Sequence, residues 1–460
     1  MPNCSIECKQ DLPGIAIALP ERYPFLLDSA ASGPLSECSL LLRSGGEELC
    51  LHGDGQISGP GGSGDFLGRL NGWFQQQNRP ENPASTWPFN GGWFVYLGYE
   101  LAAEIEPVVN FPPANDGFPV AFAHRCDAAI YSRPDQPGIL HLVAEEESIL
   151  NIMRTEIESL HPEADRKLTA LTSLVPDPPQ NFTSAIDRIH EYILDGDVFQ
   201  VNLSRAWHGE FGERPDAGAL YRSLRKNNPA PFGGMVHWNG FVLMSSSPER
   251  LVCSRQGEVQ SRPIAGTRPR GIDDDTDRAL SHELLTHPKE RAEHIMLIDL
   301  ERNDLGRVCE TGTVEVDELM VVESYEHVHH IVSNVRGRLR SDVTPTDVIR
   351  AVFPGGTITG CPKVRCMEII AELEREGRSF YTGSFGYLGL DGCMDLNILI
   401  RSMLLLDKNV SFRTGAGIVS DSDPERELKE TEDKARGLLN ALGPVFEAQG
   451  QIDERMLGKR

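Results

Sequence analysis

Two pairs of glutamates carry spacings at which side chains act together. Glu290 and Glu293 follow Pro288, and Glu427 and Glu430 follow Pro424, with Lys434 four residues beyond. On a helix, positions i, i+3 and i+7 share a face. Like charges that close repel unless water or a cation screens them. Each pair is therefore a solvated face or half of a cation site. If the two helices meet, four carboxylates converge, and a hard divalent cation such as Mg²⁺ is their natural counter-ion. Just before the second pair, Gly415-Ala416-Gly417 either lets a ligand approach the backbone or makes a tight turn. His327, His329 and His330 form an H-x-H-H run. On a strand the first two point one way and the third the other. An acid/base or hydrogen-bonding histidine fits this better than a histidine metal site, and a structural one fits equally well.

The segment Phe353 to Ile370, FPGGTITGCPKVRCMEII, joins a Pro-Gly-Gly break, a Thr-rich run and a helix start at Cys361-Pro362. A helix start offers free N–H groups and the positive end of a dipole. With Lys363 and Arg365 beside it, it either meets a small anion or is a loop entering a buried helix.

These residues need a scaffold. The chain has 460 residues, 40% hydrophobic and 24% charged, as a globular protein does. A net charge of -24 argues against nucleic-acid and anionic-membrane partners. An anionic substrate then needs a local patch of cations, N–H groups or metal. No apolar run approaches the ~20 residues of a membrane helix, and the N-terminal MPNCSIECKQDLPG lacks a signal peptide's basic head and apolar core. Ten scattered cysteines without a CxxC pair point to reduced thiols in the cytoplasm rather than disulfides or structural zinc.

Residues 1–180 read as a β-rich region. Its best strand is the Gly91–Tyr99 run, and it ends in a helix over Glu145–Leu160 and a linker at Leu174–Pro179. Gly59–Gly64 matches GxGxxG but lacks the strand–loop–helix frame, so a flexible turn is expected. Residues 181–445 form a second region, and 446–460 a tail. Ser184 and Asp187 make a capping-box pattern for a helix ending at Asp195-Gly196. Strands are expected at Val198–Leu203, Phe241–Ser245, Tyr381–Leu390 and Asn397–Leu406. Long helices are expected after Pro288 and Pro424. Strands and helices do not alternate in short βαβ units, so the fold class is α+β with large antiparallel sheets.

Several motifs fit one family in order. They are DVFQVNLS at 197–204, SSPER at 246–250, RPIAGTRPRG at 262–271 and KERAEHIMLIDLERNDLGRVC at 289–309. They continue with HVHHIVSNVRG at 327–337, the 353–370 segment, GSFGYLG at 383–389, GAGIVSDSDPERE at 415–427 and ETEDKARGLL at 430–439. The chain resembles the chorismate-utilising enzymes, which include component I of anthranilate synthase and of aminodeoxychorismate synthase, and the isochorismate and salicylate synthases. The resemblance spans 182–442 nearly throughout and is looser before that. It implies two stacked, roughly orthogonal antiparallel sheets flanked by helices, with the active site in a cleft. It implies that Glu290, Glu293, Glu427 and Glu430 surround Mg²⁺, which holds the ring carboxylate of chorismate. Tyr387, Arg401, Gly417 and Lys434 match positions that hold substrate carboxylates. Gly266, Gly415, Ala416 and Thr357 fall beside them. His330 matches a histidine near the departing C4 group, Glu249 an acid that protonates the C4 hydroxyl, and Thr267 is counted with them among the catalytic positions.

Two positions sort the branches. Gln200 stands where isochorismate-type enzymes resemble one another in a water-activating Lys, so ammonia is the expected nucleophile. Ala265 replaces the covalent Lys of many aminodeoxychorismate synthases, as in anthranilate synthases. The ITGCPK spelling and the N-terminal half lean towards the aminodeoxychorismate branch. The resemblance therefore implies amination of chorismate at C4, with ammonia from a separate glutamine amidotransferase subunit, for 4-aminobenzoate and folate synthesis. The alternatives are anthranilate formation and a non-catalytic homologue that senses tryptophan or acts as a scaffold. Ser29, Pro231 and Phe232 resemble the family's tryptophan pocket.

Overall fold

Strands of this chain are set by runs of aromatic and branched residues broken at Gly, Pro and Asp, and their alternate residues supply two buried faces. The computed structural model describes residues 1–444 except 32, 34–37, 81–86, 162–165 and 326–327. His327 and the 446–460 tail lie outside the described residues.

All the strand pairings are antiparallel and form two arms that meet where Ser39–Leu51 pairs with Ala121–Ser132. One arm runs from Ser39–Leu51 through Phe25–Asp28, Phe232–Trp238, Phe241–Ser247, Ser402–Leu406 and Asn409–Ile418 to Gln200–Phe211. The other runs from Ala121–Ser132 through Gly92–Leu97, Ser384–Gly389, Met394–Asn397, Arg250–Arg255 and Glu258–Ser261 to Val328–Arg338. Phe25, Leu243 and Leu404 of the first arm pack with Phe94, Phe122 and Phe385 of the second in one buried aromatic core. The stacked sheets expected from the resemblance are thus two layers of one continuous hydrogen-bonded sheet. Strands from before and after residue 180 pair directly, as Gly92–Leu97 does with Ser384–Gly389.

Two long helices flank this sheet. Pro288–Gly306 packs on Ile264–Pro269, Val328–Arg338 and the helix Pro345–Val352. Pro424–Leu442, capped by Asp423 accepting from the Arg426 N–H, packs on Asn409–Ile418 and the helices Ala217–Asn227 and Pro179–Leu194.

Three local expectations fail for identifiable reasons. Leu171–Pro176 is an edge strand on Gln200–Phe211, because Leu171 is drawn into the core and the terminal Pro faces no required donor. The next helix begins at Pro179, so Ser184 and Asp187 lie inside it and cap nothing. Asn397 ends one strand and Ser402 begins the next, because the chain turns at Arg401 with φ of 52°. The GxGxxG match is a turn before the helix Phe66–Gln77, as expected.

Candidate active site

The 353–370 segment leaves the helix Pro345–Val352 and makes a 3₁₀ turn over Gly356–Ile358. It then pairs Gly360–Cys361 with Gln200 and Val201, and enters the helix Lys363–Glu374. Gly360 has φ of 127°, and a Cβ there would lie 2.1 Å from the Gln200 carbonyl, so only glycine fits. Thr359 is fully buried, and its hydroxyl donates to the Gly355 carbonyl at 2.9 Å. It locks the turn and does not face a ligand. The anion site foreseen at this helix start is already neutralised. Lys363 Nζ stands 2.5 Å from Asp304, and Arg365 binds Asp197 at 2.7 Å and Glu368 at 2.8 Å.

The turn instead presents Thr357 to Glu249. The Thr357 hydroxyl is buried and has no close hydrogen-bond partner among the described residues, yet it lies near enough to Glu249 to favour the charged form of its carboxyl. Glu249 lies just past the strand Phe241–Ser247, with its N–H on Ser247 Oγ at 3.2 Å and its carbonyl accepting from Ile398 at 3.0 Å. Burial pushes its carboxyl up to about 7. Thr357 opposes this, the charge of Glu301 adds to it, and Arg401 and Lys434 oppose it. Arg401 makes no ion pair within reach among the described residues, and burial lowers its pKa while Glu249 opposes that. Lys434 Nζ binds Glu430 at 2.7 Å and donates to the Gly415 carbonyl at 3.0 Å.

Strand Asn409–Ile418 faces Gln200–Phe211 in register, Gly417 opposite Asn202. The Gln200 amide fills the space over Gly417, where a Cβ would meet it at 2.6 Å. Ala416, fully buried, points to the other side. The Oε1 of Gln200 and the Oδ1 of Asn202 are both buried and accept no hydrogen bond. Residues two apart on a strand share a face, so both orphan carbonyls belong to one side of it.

His330 and Thr267 are directly opposed across Ile264–Pro269 and Val328–Arg338, with Nδ1 and Oγ1 2.9 Å apart. Burial, and next the charge of Arg401, lower the imidazole to about 4, against a backbone hydrogen bond with Gly266, so the ring is neutral. Arg401 is thus the cation felt by both Glu249 and His330. Ala265, beside them and buried, offers no nucleophile. His329 is structural, held by Ser324 at 2.7 Å and Asp277 at 2.9 Å.

The carboxylate pairs lie on helices as foreseen. Glu290 sits over Gly266 and pairs with Arg268 at 2.9 Å, while Glu430 pairs with Lys434. Among the described residues, no three Asp, Glu, His or Cys side chains stand close enough to share an ion. The four carboxylates are not drawn together here. Their chemistry, all oxygen donors on two helices that flank the one continuous sheet, is that of a hard-cation site.

A chamber of about 300 Å³ is lined by Ser29, Pro231 and Phe232, three residues that the sequence had grouped. Tyr387 lines this chamber as well, with Arg250 and Asp395, whereas the sequence had grouped it with Arg401. It follows the alternation of Ser384–Gly389, whose partner strand turns Asp395 towards it. Sequence reasoning missed Glu301, which is buried beside the turn, and the buried ion network of Glu374, Arg378 and Arg413. The signal for Arg413 was a charge in the otherwise apolar and small-residue run SFRTGAG.

The model of the chorismate binding enzymes matches residues 48–440. The chain is 39% identical over 430 residues to a Synechocystis sp. anthranilate synthase component I-like protein, covering 93% of this chain and 87% of that one. It is 37% identical to the aminodeoxychorismate synthase component 1 of Bacillus subtilis, covering 93% of each. The structure of anthranilate synthase component I from Streptococcus pneumoniae superposes with a TM-score of 0.77 and 32% identity, over 88% of this chain and 92% of that one.

Proposed function

The chain belongs to the chorismate-binding enzymes, and from that premise we propose that it aminates chorismate with ammonia to give 4-amino-4-deoxychorismate. The observation that carries ammonia as nucleophile is the pair of orphan carbonyls on Gln200 and Asn202. A buried acceptor without a partner is costly, and ammonia is a small donor that satisfies both. Neither amide can take a proton from water, so hydrolysis is disfavoured at this position.

The remaining groups divide the work. Arg401, unpaired among the described residues, receives a substrate carboxylate, helped by Lys434. Glu249, protonated near neutral pH, gives its proton to the C4 hydroxyl, which leaves as water. His330, neutral and oriented by Thr267, hydrogen-bonds near the leaving group. Glu290, Glu293, Glu427 and Glu430 would hold Mg²⁺. That ion, when bound, supplies positive charge opposite the ring carboxylate. We assign the ammonia supply to a separate glutamine amidotransferase subunit, the Ser29–Pro231–Phe232 chamber to tryptophan or a similar amino acid, and the protein to the cytoplasm. No helix among the described residues is long and apolar enough to cross a membrane.

Ala265 favours a second reading, anthranilate with pyruvate release, because it removes the covalent lysine route. Thr359, whose spelling leaned towards the first product, faces inward. Chorismate, ammonium and Mg²⁺ given to the purified chain decide. A product that a lyase converts to 4-aminobenzoate is expected. Fluorescent anthranilate overturns that product in favour of the second reading, and no turnover overturns both.

A further inference from the structure

Glu301 is a buried carboxyl without a task in the reaction above. It is 4% exposed and has no ion pair among the described residues. A Cβ on Gly356 would lie 3.6 Å from its Oε1, so the carboxyl rests against the Gly356–Ile358 turn. On that same turn, Thr357 faces Glu249, itself 6% exposed. Two buried carboxyls thus flank one three-residue turn. Around Glu301 stand Asp304, which takes the nearby Lys363 for itself, and the Ser261 hydroxyl, which hydrogen-bonds Glu301. Around Glu249 stand Arg401 from the turn before Ser402–Leu406, Lys434 from the helix Pro424–Leu442, and Glu301 from the helix Pro288–Gly306.

A merely structural residue here would not be an acid. Glutamine would keep the bond to Ser261 without the cost of a buried, unpaired carboxyl. We propose that Glu301 is a positioning residue that acts through Glu249, its charge across the turn keeping the proton on the general acid until the C4 hydroxyl takes it. This rests on the reaction proposed above. In that step the Glu249 O–H bond and the C4–O bond break, water leaves, and the nitrogen of ammonia bonds to the ring. Glu249 is left as a carboxylate, and the charge of Glu301 favours its reprotonation from solvent. Both carboxyls are pushed up to about 7, Glu249 by burial and then by Glu301, Glu301 by burial and then by Asp304.

The test uses the full chain and Glu301→Gln. Infrared titration follows the protonated-carboxyl band that Glu249→Gln removes, and kcat/KM is measured across pH. Both the Glu249 band and the alkaline limb of kcat/KM should move about one pH unit lower, the order expected when a like charge is removed. Glu301→Asp, which restores the charge, should bring both back most of the way, and it also serves if Glu301→Gln does not fold. A band and limb that stay in place, with kcat lowered equally at every pH, would overturn the proposal and make Glu301 structural. The infrared arm needs no turnover. A chain inactive on chorismate whose Glu249 band still shifts sinks the reaction and leaves the coupling standing.

Discussion

Thr267 and His330 meet at 2.9 Å as directly opposed residues of two antiparallel strands, so the register of the sheet itself orients the imidazole. Thr267→Val keeps the shape and removes the bond, whose loss costs about 1 kcal/mol. A roughly fivefold fall in kcat/KM is expected, with little change in thermal midpoint. The ring also makes stability depend on pH. Its folded pKa, about 4, lies below the ordinary histidine value of 6.5, so the unfolded chain binds the extra proton between them. The contribution is complete above pH 6.5 and is lost as pH falls through 4. Denaturation of wild type and His330→Asn at pH 7.5 and pH 5 should show a gap that shrinks at the lower pH.

Glu249 works with the opposite sign. Its folded pKa, about 7, lies above the ordinary glutamate value of 4.5, so the folded state holds the extra proton. Stability from this group is present below pH 4.5 and lost as pH rises through 7. Glu249→Gln should match wild type at pH 4.5 and exceed its thermal midpoint at pH 8.5, while turnover falls by at least roughly 100-fold, as for loss of a general acid. A midpoint difference that does not depend on pH would show that the buried acid is not protonated near neutrality.

Arg401 is a cation without an ion pair among the described residues, placed where Glu249 and His330 both feel it. Arg401→Gln removes a charge-assisted contact worth roughly 1.5–3 kcal/mol. The Kd of chorismate, measured by calorimetry, should rise roughly 10- to 100-fold. An unchanged Kd would place the substrate carboxylate elsewhere.

The four glutamates predict metal dependence. A chelator should abolish turnover and added Mg²⁺ restore it. Glu293→Gln and Glu430→Gln should each lose activity with unchanged near-ultraviolet circular dichroism. Full activity in either variant would sink the assignment of that residue to the ion.

The sequence made the helix-face pairs, the strand at Gly92–Leu97 and the order of motifs readable, because each is a local pattern of period 2 or 3.6. It also named Glu249, Arg401 and His330 before their neighbours were known. What it could not supply was long-range. Lys363 and Arg365 looked like free cations until Asp304 and Asp197 arrived from 59 and 168 residues away. Tyr387 could not be separated from Arg401 until Asp395 fixed the face of its strand. Leu174–Pro179 had a linker's composition and became strand and helix because the long strand Gln200–Phe211 needed a partner. The role of Glu301 depended on a turn from a distant motif lying against it.

Glu374 carries the most demanding prediction. Its carboxylate receives Arg378 at 2.6 Å, Arg413 at 3.1 Å, and the N–H and hydroxyl of Ser204 at 2.8 and 2.9 Å. Arg378 also donates to the carbonyls of Ile358 at 3.2 Å and Asn202 at 2.7 Å. The network therefore ties the turn that carries Thr357 to the strand that carries Gln200. Burial would raise the Glu374 pKa, but Arg378 and Arg413 outweigh it and hold the carboxyl below the usual range. Glu374→Gln strands the buried Arg378 guanidinium and leaves Arg413 with Glu376 alone, and should cost about 3–5 kcal/mol in denaturant unfolding at pH 7. Because the folded pKa is depressed, this cost should shrink as pH falls below the ordinary carboxylate value. Replacing Glu374, Arg378 and Arg413 together by Leu, Met and Met removes every stranded charge. Buried ion networks replaced by apolar residues often lose little stability. The triple variant should then regain most of the lost stability while kcat/KM stays low, because the Arg378 guanidinium no longer clamps the Ile358 carbonyl to that of Asn202. Recovery of both would reduce the network to a structural filler, and recovery of neither would mean that the apolar side chains cannot fill the space it occupies.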